Sequence, residues 1–236
     1  MPELTAIVPF FNEARTLKEL VGAISQLPDG TLSQTIFVND GSGDDSEFVL
    51  RKALSSAKFP SEYIVKSNGG KASAIFAGLN KVKTSHVVIL DADLELDPRE
   101  IVNLWRPISL GEAEAVFGYR EFRSQTSYTY RYAMGNRFIS HLYGILFNQV
   151  ITDIMCGFKI IPTAILEGTP RKAKGFAIEV AIPVALWKKS IKPNEIPVSY
   201  SPRSRHEGKI INVVDALAVI VNLITLRMLN RKPRQS

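Results

Sequence analysis

The sequence predicts an α/β protein: a mostly parallel sheet flanked by helices, followed by a C-terminal amphipathic helix. Three observations predict it. Short apolar runs alternate with helical periods through the first 120 residues or so, which is the pattern of βαβ units covered on both faces. At 236 residues, 45% hydrophobic and 22% charged, the chain suits one large domain with or without an appendage and can bury a sizeable core. The last segment, from Ile211 onward, places its apolar residues on one helical face and ends in basic residues.

The elements follow in order. "LTAIVPF" reads as a strand and "ARTLKELVGAISQL" as an amphipathic helix. "QTIFVN" is a strand and "DSEFVLRKALSSA" a helix; "SEYIVKS" is a strand and "KASAIFAGLNKV" a helix. "HVVIL" is a strand, "PREIVNLWRPI" a helix and "AEAVFGY" a strand. The second half is less regular: a helix in "YTYRYAMGNRFISHLYGILFNQV", a short strand in "CGFKIIP", a helix in "FAIEVAIPVALWKKS" and a strand in "NEIPVSY". In the terminal segment Val213, Leu217, Ile220, Ile224 and Met228 share one face, with Val214 and Val221 beside them. Its longest uninterrupted apolar stretch, Ala216 to Val221, is far short of the ~20 residues of a membrane span.

Charge and cysteine content narrow the chemistry. A formal charge of +6 favours polyanionic partners, namely nucleic acid, anionic lipid or phosphorylated small molecules. The chain lacks the interleaved basic and aromatic residues of single-strand binders, so no nucleic acid partner is expected. Cys156 is the one cysteine, which excludes an intrachain disulfide, and His86, His141 and His206 lack metal-ligand spacing. "MPELTAIVPFF" has no basic leader and too short an apolar run for a signal peptide. A cytoplasmic location, peripheral on the cytoplasmic face of a membrane, is the expectation.

Ligands of open α/β sheets bind beyond the carboxyl ends of the strands. Four loops are therefore of interest, and each has a plain alternative. "DADLELD" sets Asp91, Asp93, Glu95 and Asp97 at a strand end, where close carboxylates repel unless a cation joins them. A hard divalent cation takes oxygen ligands from one or two carboxylates plus substrate phosphates. The alternative is an Asp-rich turn, with Asp97 capping the helix that starts at Pro98. "NDGSGDD" offers close backbone approach at Gly41 and Gly43 and an acceptor, Asp40, for a base or ribose, or else an ordinary βα turn. "SNGGK" puts Gly70 and Lys71 at a helix start that suits a phosphate, or else is a solvated turn. "PFFNE" alone reads as a turn and a cap.

Together these stretches carry a resemblance. Pro9–Asn12–Glu13, Asp40–Gly41–Ser42, Asn68–Gly70–Lys71 and Asp91–Ala92–Asp93, in that order, resemble the motifs of family 2 glycosyltransferases of the GT-A (Rossmann-like) fold. "GYREF", "DIMCGFK", "GFAIEVAI" and "EIPVSYSPRSRHEGKI" resemble their polyprenyl-phosphate branch, the relatives of dolichol-phosphate mannose and glucose synthases. The resemblance reaches about residue 209 and implies a metal-dependent, inverting transfer from a GDP- or UDP-sugar to a polyprenyl or dolichyl phosphate. It implies that Pro9, Phe11, Glu13, Asp40, Gly70, Lys71, Asp91, Ala92 and Asp93 bind the nucleotide-sugar. It further implies that Asp91, Asp93 and Glu95 hold Mg²⁺ or Mn²⁺. Arg120, Arg131, Arg203 and Lys209 would serve the acceptor phosphate beside Asp93.

The sequence departs from the family pattern in places. Asn39 stands where a first acid is common, Glu95 where a Gln is common, and "GFK" where "GFR" is common.

Acceptor chemistry separates two readings. A lipid phosphate is already ionised and needs cations to place it; Arg120, Arg123, Arg131, Arg137, Lys159, Arg203, Arg205 and Lys209 are candidates. A saccharide or other hydroxyl acceptor, as in cell-surface polysaccharide synthesis, needs a general base, for which Asp153 is the candidate. Glu179, an acid in an apolar helix, is either paired to a cation at the site or exposed on a helix face. Residues 1–209 are expected to form the catalytic domain and 210–236 an amphipathic helix and basic tail. That helix lies on a membrane surface, against its own domain or against a second copy of the chain.

Overall fold

The computed structural model describes residues 1–120, 127–171, 175–202 and 213–230. Seven strands form one sheet: β1 (Leu4–Phe10), β2 (Gln34–Asn39), β3 (Ser61–Val65), β4 (His86–Ile89), β5 (Val116–Arg120), β6 (Lys159–Pro162) and β7 (Asn194–Val198). Their spatial order is β3-β2-β1-β4-β6-β5-β7. The pairs among β3, β2, β1 and β4 are parallel, as is β5 with β7; β6 alone runs antiparallel to both its neighbours. The mostly parallel α/β sheet predicted from the alternation of runs is the observed one.

Among the described residues the α-helices are α1 (Leu17–Ser25), α2 (Ser46–Leu54), α3 (Lys71–Leu79), α4 (Ile101–Ser109), α5 (Ser127–Phe147), α6 (Thr163–Glu167), α7 (Ile178–Lys188) and α8 (Val213–Leu229). They cover both sheet faces, and alternate strand residues feed two separate cores. Val87 and Ile89 of β4 face the core that includes residues of α3, α5, α7 and α8; Val88 and Leu90 face that of α1 and α4. Every residue of β1 and β2 is buried, whereas β3, at the edge, is half-exposed. The helix α6 was not apparent in the sequence: its five residues are too few to show a helical period.

The terminal helix refines the expectation. One side of α8 (Val219, Leu223, Leu226) is buried in the first core. A second stripe, Leu217, Val221, Ile224 and Met228, is exposed. The helix therefore packs on its own domain and still presents an apolar face. Among the described residues no helix is long and apolar enough to cross a membrane.

Candidate active site

Because β3, β2, β1 and β4 are parallel neighbours, the four loops singled out above leave the sheet at one rim and bond to each other. Asn12 N–H donates to Ser42 Oγ (3.0 Å), Gly43 N–H to Asn12 Oδ1 (2.8 Å), and Glu13 N–H to Ser46 Oγ (2.8 Å). Asn12 takes a left-handed backbone (φ +57°), which asparagine tolerates better than most residues. Pro9 is buried within β1, while Phe11 stands half-exposed on the rim.

Asp40, expected as an acceptor for base or ribose, is buried and turned into the chain. Its carboxylate accepts from Gly69 N–H (3.0 Å), Gly70 N–H (2.6 Å) and Lys66 Nζ (2.6 Å). Charge-assisted bonds of this kind pin the loop before α3 to the end of β2. Lys66 had no signal in the sequence, since nothing local distinguishes it from other lysines.

The acid rim carries its own cation. Leu90 N–H makes the last ladder bond, to Ile7 O (3.0 Å), and Asp91 follows. Lys71, first residue of α3, places Nζ 2.7 Å from Asp91 Oδ1, 2.8 Å from Asp91 Oδ2 and 2.8 Å from Glu179 Oε1. Glu179 Oε2 accepts from Lys159 Nζ, which also donates to Cys156 O. The side chains of Lys159 and Glu179 are 0% and 1% exposed. Carboxylate and ammonium thus alternate from Asp91 through Lys71 and Glu179 to Lys159.

Burial opposes ionisation in this chain of charges, and pairing overrides it. Burial pushes the Glu179 carboxyl up, but Lys159 and Lys71 bring it below the usual glutamate range. Burial likewise pushes the Lys71 ammonium down, while Asp91 and Glu179 hold it above the usual lysine value. The neighbouring Cys156 thiol is pushed up to about 12 by burial and then by the charge of Asp153, so it is not a nucleophile at neutral pH. Lys159, a candidate for the acceptor phosphate, is a buried partner of Glu179 instead.

The remaining acids divide by role. Asp93 Oδ1 accepts from Glu95 N–H (3.1 Å) across Leu94, whose φ of +58° is a strained value for leucine. Glu95 accepts from Tyr200 Oη (3.1 Å), and its backbone oxygen accepts from Ser201 N–H (2.9 Å). Asp97 caps the turn at Pro98–Glu100, accepting from Arg99 N–H (2.9 Å), as an ordinary helix start would have it.

Among the described residues no group of three or more His, Cys, Asp and Glu side chains converges to hold a metal. Of the three carboxylates expected to hold a metal, Asp91 meets Lys71, Asp93 meets the Glu95 N–H, and Glu95 meets Tyr200. An oxygen-only pair at a rim still suits a hard cation that takes its other ligands from phosphates. The carboxylates of Asp91, Asp93 and Glu95 are oxygen ligands of the kind that Mg²⁺ or Mn²⁺ takes. Ala92 between them is buried.

On the other side of the rim Arg120 ends β5. Its guanidinium makes a bidentate pair with Asp153 (Nε–Oδ2 2.7 Å, NH2–Oδ1 2.9 Å) and lies 5.1 Å from the centre of the Tyr200 ring. Both oxygens of Asp153, the candidate base for a hydroxyl acceptor, are engaged by Arg120, and the side chain is 6% exposed. Burial disfavours the Arg120 cation, and Asp153 restores it to above its usual value. Arg137 is exposed on α5. The side chain of Arg131 and residues Arg123, Arg203, Arg205 and Lys209 lie outside the described residues. The residues just before Arg203 are anchored at the acids, through Ser201 and an antiparallel bridge between Leu96 and Tyr200.

The glycosyl transferase family 2 model matches residues 5–168. An uncharacterized protein of Methanocaldococcus jannaschii is 27% identical over 215 residues, covering 83% of this chain and 87% of its own. An undecaprenyl-phosphate 4-deoxy-4-formamido-L-arabinose transferase of Edwardsiella ictaluri is 27% identical over 238 residues, covering 96% of this chain and 70% of its own. A solved structure of glucosyl-3-phosphoglycerate synthase from Mycobacterium tuberculosis, in complex with Mn²⁺, UDP and glucosyl-3-phosphoglycerate, shares the fold. It aligns with a TM-score of 0.76 and 17% identity over 96% of this chain and 80% of that one. Since the family match spans residues 5–168, more than half of the chain, the chain belongs to glycosyl transferase family 2 and is a glycosyltransferase.

Proposed function

We propose that the protein moves a sugar from a nucleotide-sugar, GDP- or UDP-linked, to a polyprenyl phosphate, with inversion at the anomeric carbon. The observation that carries the reading is the meeting of Lys71 and Asp91 at the rim where four βα loops converge. Pro9, Phe11 and Glu13 line the nucleoside pocket, and Asp40 acts on it through Gly69 and Gly70, whose N–H groups it holds in place. Lys71 binds the diphosphate. Asp91 and Asp93, assisted by Glu95, would hold Mg²⁺ or Mn²⁺, which when bound neutralises charge on the departing nucleoside diphosphate. The UDP and Mn²⁺ named for the M. tuberculosis synthase support that choice of donor class and metal.

For the acceptor, the lipid phosphate oxygen attacks the anomeric carbon as the bond to the diphosphate breaks, and the nucleoside diphosphate leaves with the electron pair. An ionised phosphate loses no proton in this step, so no base is required. Arg120, Arg131, Arg203 and Lys209 place it. The engagement of Asp153 by Arg120 supports this over a hydroxyl acceptor, as does the undecaprenyl-phosphate substrate in the E. ictaluri enzyme's name. The exposed stripe of α8 and the basic residues after it, Arg231, Lys232 and Arg234, would hold the protein at the cytoplasmic membrane face that carries the lipid.

A donor screen with polyprenyl phosphate, scored for radiolabelled sugar in the organic phase, tests the reading. One GDP- or UDP-sugar is expected to transfer, and Asp93→Ala to abolish transfer without changing the melting temperature. Transfer only to water-soluble acceptors, or full turnover in Asp93→Ala, contradicts it.

A further inference from the structure

The acids at the rim already have a positive partner, and its geometry has a consequence for how ligands enter. Lys71 Nζ lies within 2.8 Å of both oxygens of Asp91, so a cation seated on that carboxylate would stand beside a like charge. A Cβ placed on Gly157 would fall 2.6 Å from Asp91 Oδ2, so the backbone of the "CGFK" segment backs the carboxylate closely. Lys71 carries its charge as a point on a flexible four-carbon stem, so it can change partner. Its second partner, Glu179, is buried and tied to Lys159, and so remains as a fixed pivot when Lys71 leaves Asp91.

We infer that Lys71 is a resident counter-ion of Asp91 that a donor diphosphate draws away, so that nucleotide and divalent cation bind cooperatively. The inference rests on the metal and diphosphate reading above and adds an order to it. Without nucleotide, a metal must compete with an ammonium held on both oxygens. With nucleotide, the diphosphate takes Asp91's place as partner of Lys71, and the vacated carboxylate receives the metal. By linkage each ligand strengthens the other by the same factor, about 5- to 150-fold for couplings of ordinary size.

Mn²⁺ binding, read by the electron paramagnetic resonance of free Mn²⁺, tests it without reference to turnover. Wild-type protein is titrated alone and with saturating UDP or GDP, correcting for Mn²⁺ held by nucleotide in solution. Lys71→Gln is titrated alone, with circular dichroism to establish that it is folded. The expected result is weak binding by wild type alone and binding at least about fivefold tighter with nucleotide. Folded Lys71→Gln is expected to bind Mn²⁺ without nucleotide at least about fivefold more tightly than wild type does. Equal wild-type affinity with and without nucleotide overturns the inference whatever the variant does, as does a folded Lys71→Gln no tighter than wild type. Absence of Mn²⁺ binding in every arm is a separate result, which removes the metal reading itself and the inference with it.

Discussion

Glu179 stays ionised in a fully buried position because Lys71 and Lys159 flank it, one on each oxygen. Removing one charge from such a set leaves the others uncompensated, at a cost of about 3–5 kcal/mol. Glu179→Gln is expected to lose that much stability in urea denaturation. The pH dependence has a definite sign. The folded carboxyl lies below its ordinary value of 4.5, so the unfolded chain binds the proton first as pH falls. The stability from Glu179 is complete above about 4.5 and is lost as pH drops through the folded value. Melting temperatures below that pH should therefore fall more steeply in wild type than in Glu179→Gln; parallel curves would contradict the assignment. Asp44 and Asp97 are held low as well, and the variant comparison separates their share. Gly157 gives a second residue-scale test. Its Cβ contact with Asp91 predicts that Gly157→Ala shifts that carboxylate, and a displacement near 1 Å costs about 100-fold in turnover. The folded fraction at assay temperature should not change.

Among the elements, α3 links the sheet to the site. Gly78 lets it lie directly on β1 and β2: a Cβ there would meet Ile7 Cγ2 at 2.7 Å and Val38 Cγ2 at 3.2 Å. Gly78→Ala must push the helix outward, costing about 1–3 kcal/mol by overpacking, and Lys71 at its other end moves with it. Loss of stability together with weaker nucleotide binding, measured by calorimetry, is the expected pair of outcomes; an unchanged protein would mean that α3 adjusts without moving Lys71. The helices and strands of the first half were readable because continuous apolar runs and helical periods alternate there. Less readable was β6: four residues, Lys159–Pro162, say nothing about direction, which its pairing with β4 and β5 decides.

At the scale of the molecule, two cores on opposite sheet faces leave an apolar stripe on α8 outside both. Leu217, Val221, Ile224 and Met228 precede a basic end, a combination suited to an anionic lipid surface. Binding to vesicles containing anionic lipid is expected in flotation, weakening as salt rises from about 0.1 to about 1 M and the screening length falls to ~3 Å. Each of Val221→Glu and Met228→Glu should weaken it by about tenfold or more, the worth of one buried apolar side chain, without lowering the melting temperature. Association into dimers with no vesicle binding would instead assign the stripe to a second copy of the chain.

The sequence alone determined the α/β class, the four rim loops and their family, because each is written in local order: runs, periods and short motifs with fixed spacing. It also marked Asp91, Asp93 and Lys71 as a group. What only the tertiary structure decided is which charge neutralises which. Asp40 meets Lys66 and two backbone amides, Glu179 lies between lysines 88 residues apart in sequence, and Arg120 closes on Asp153. Glu95 accepts from Tyr200. Ion pairing depends on distances of a few ångströms and on burial, and neither is carried by position along the chain; sheet order and helix packing supply both.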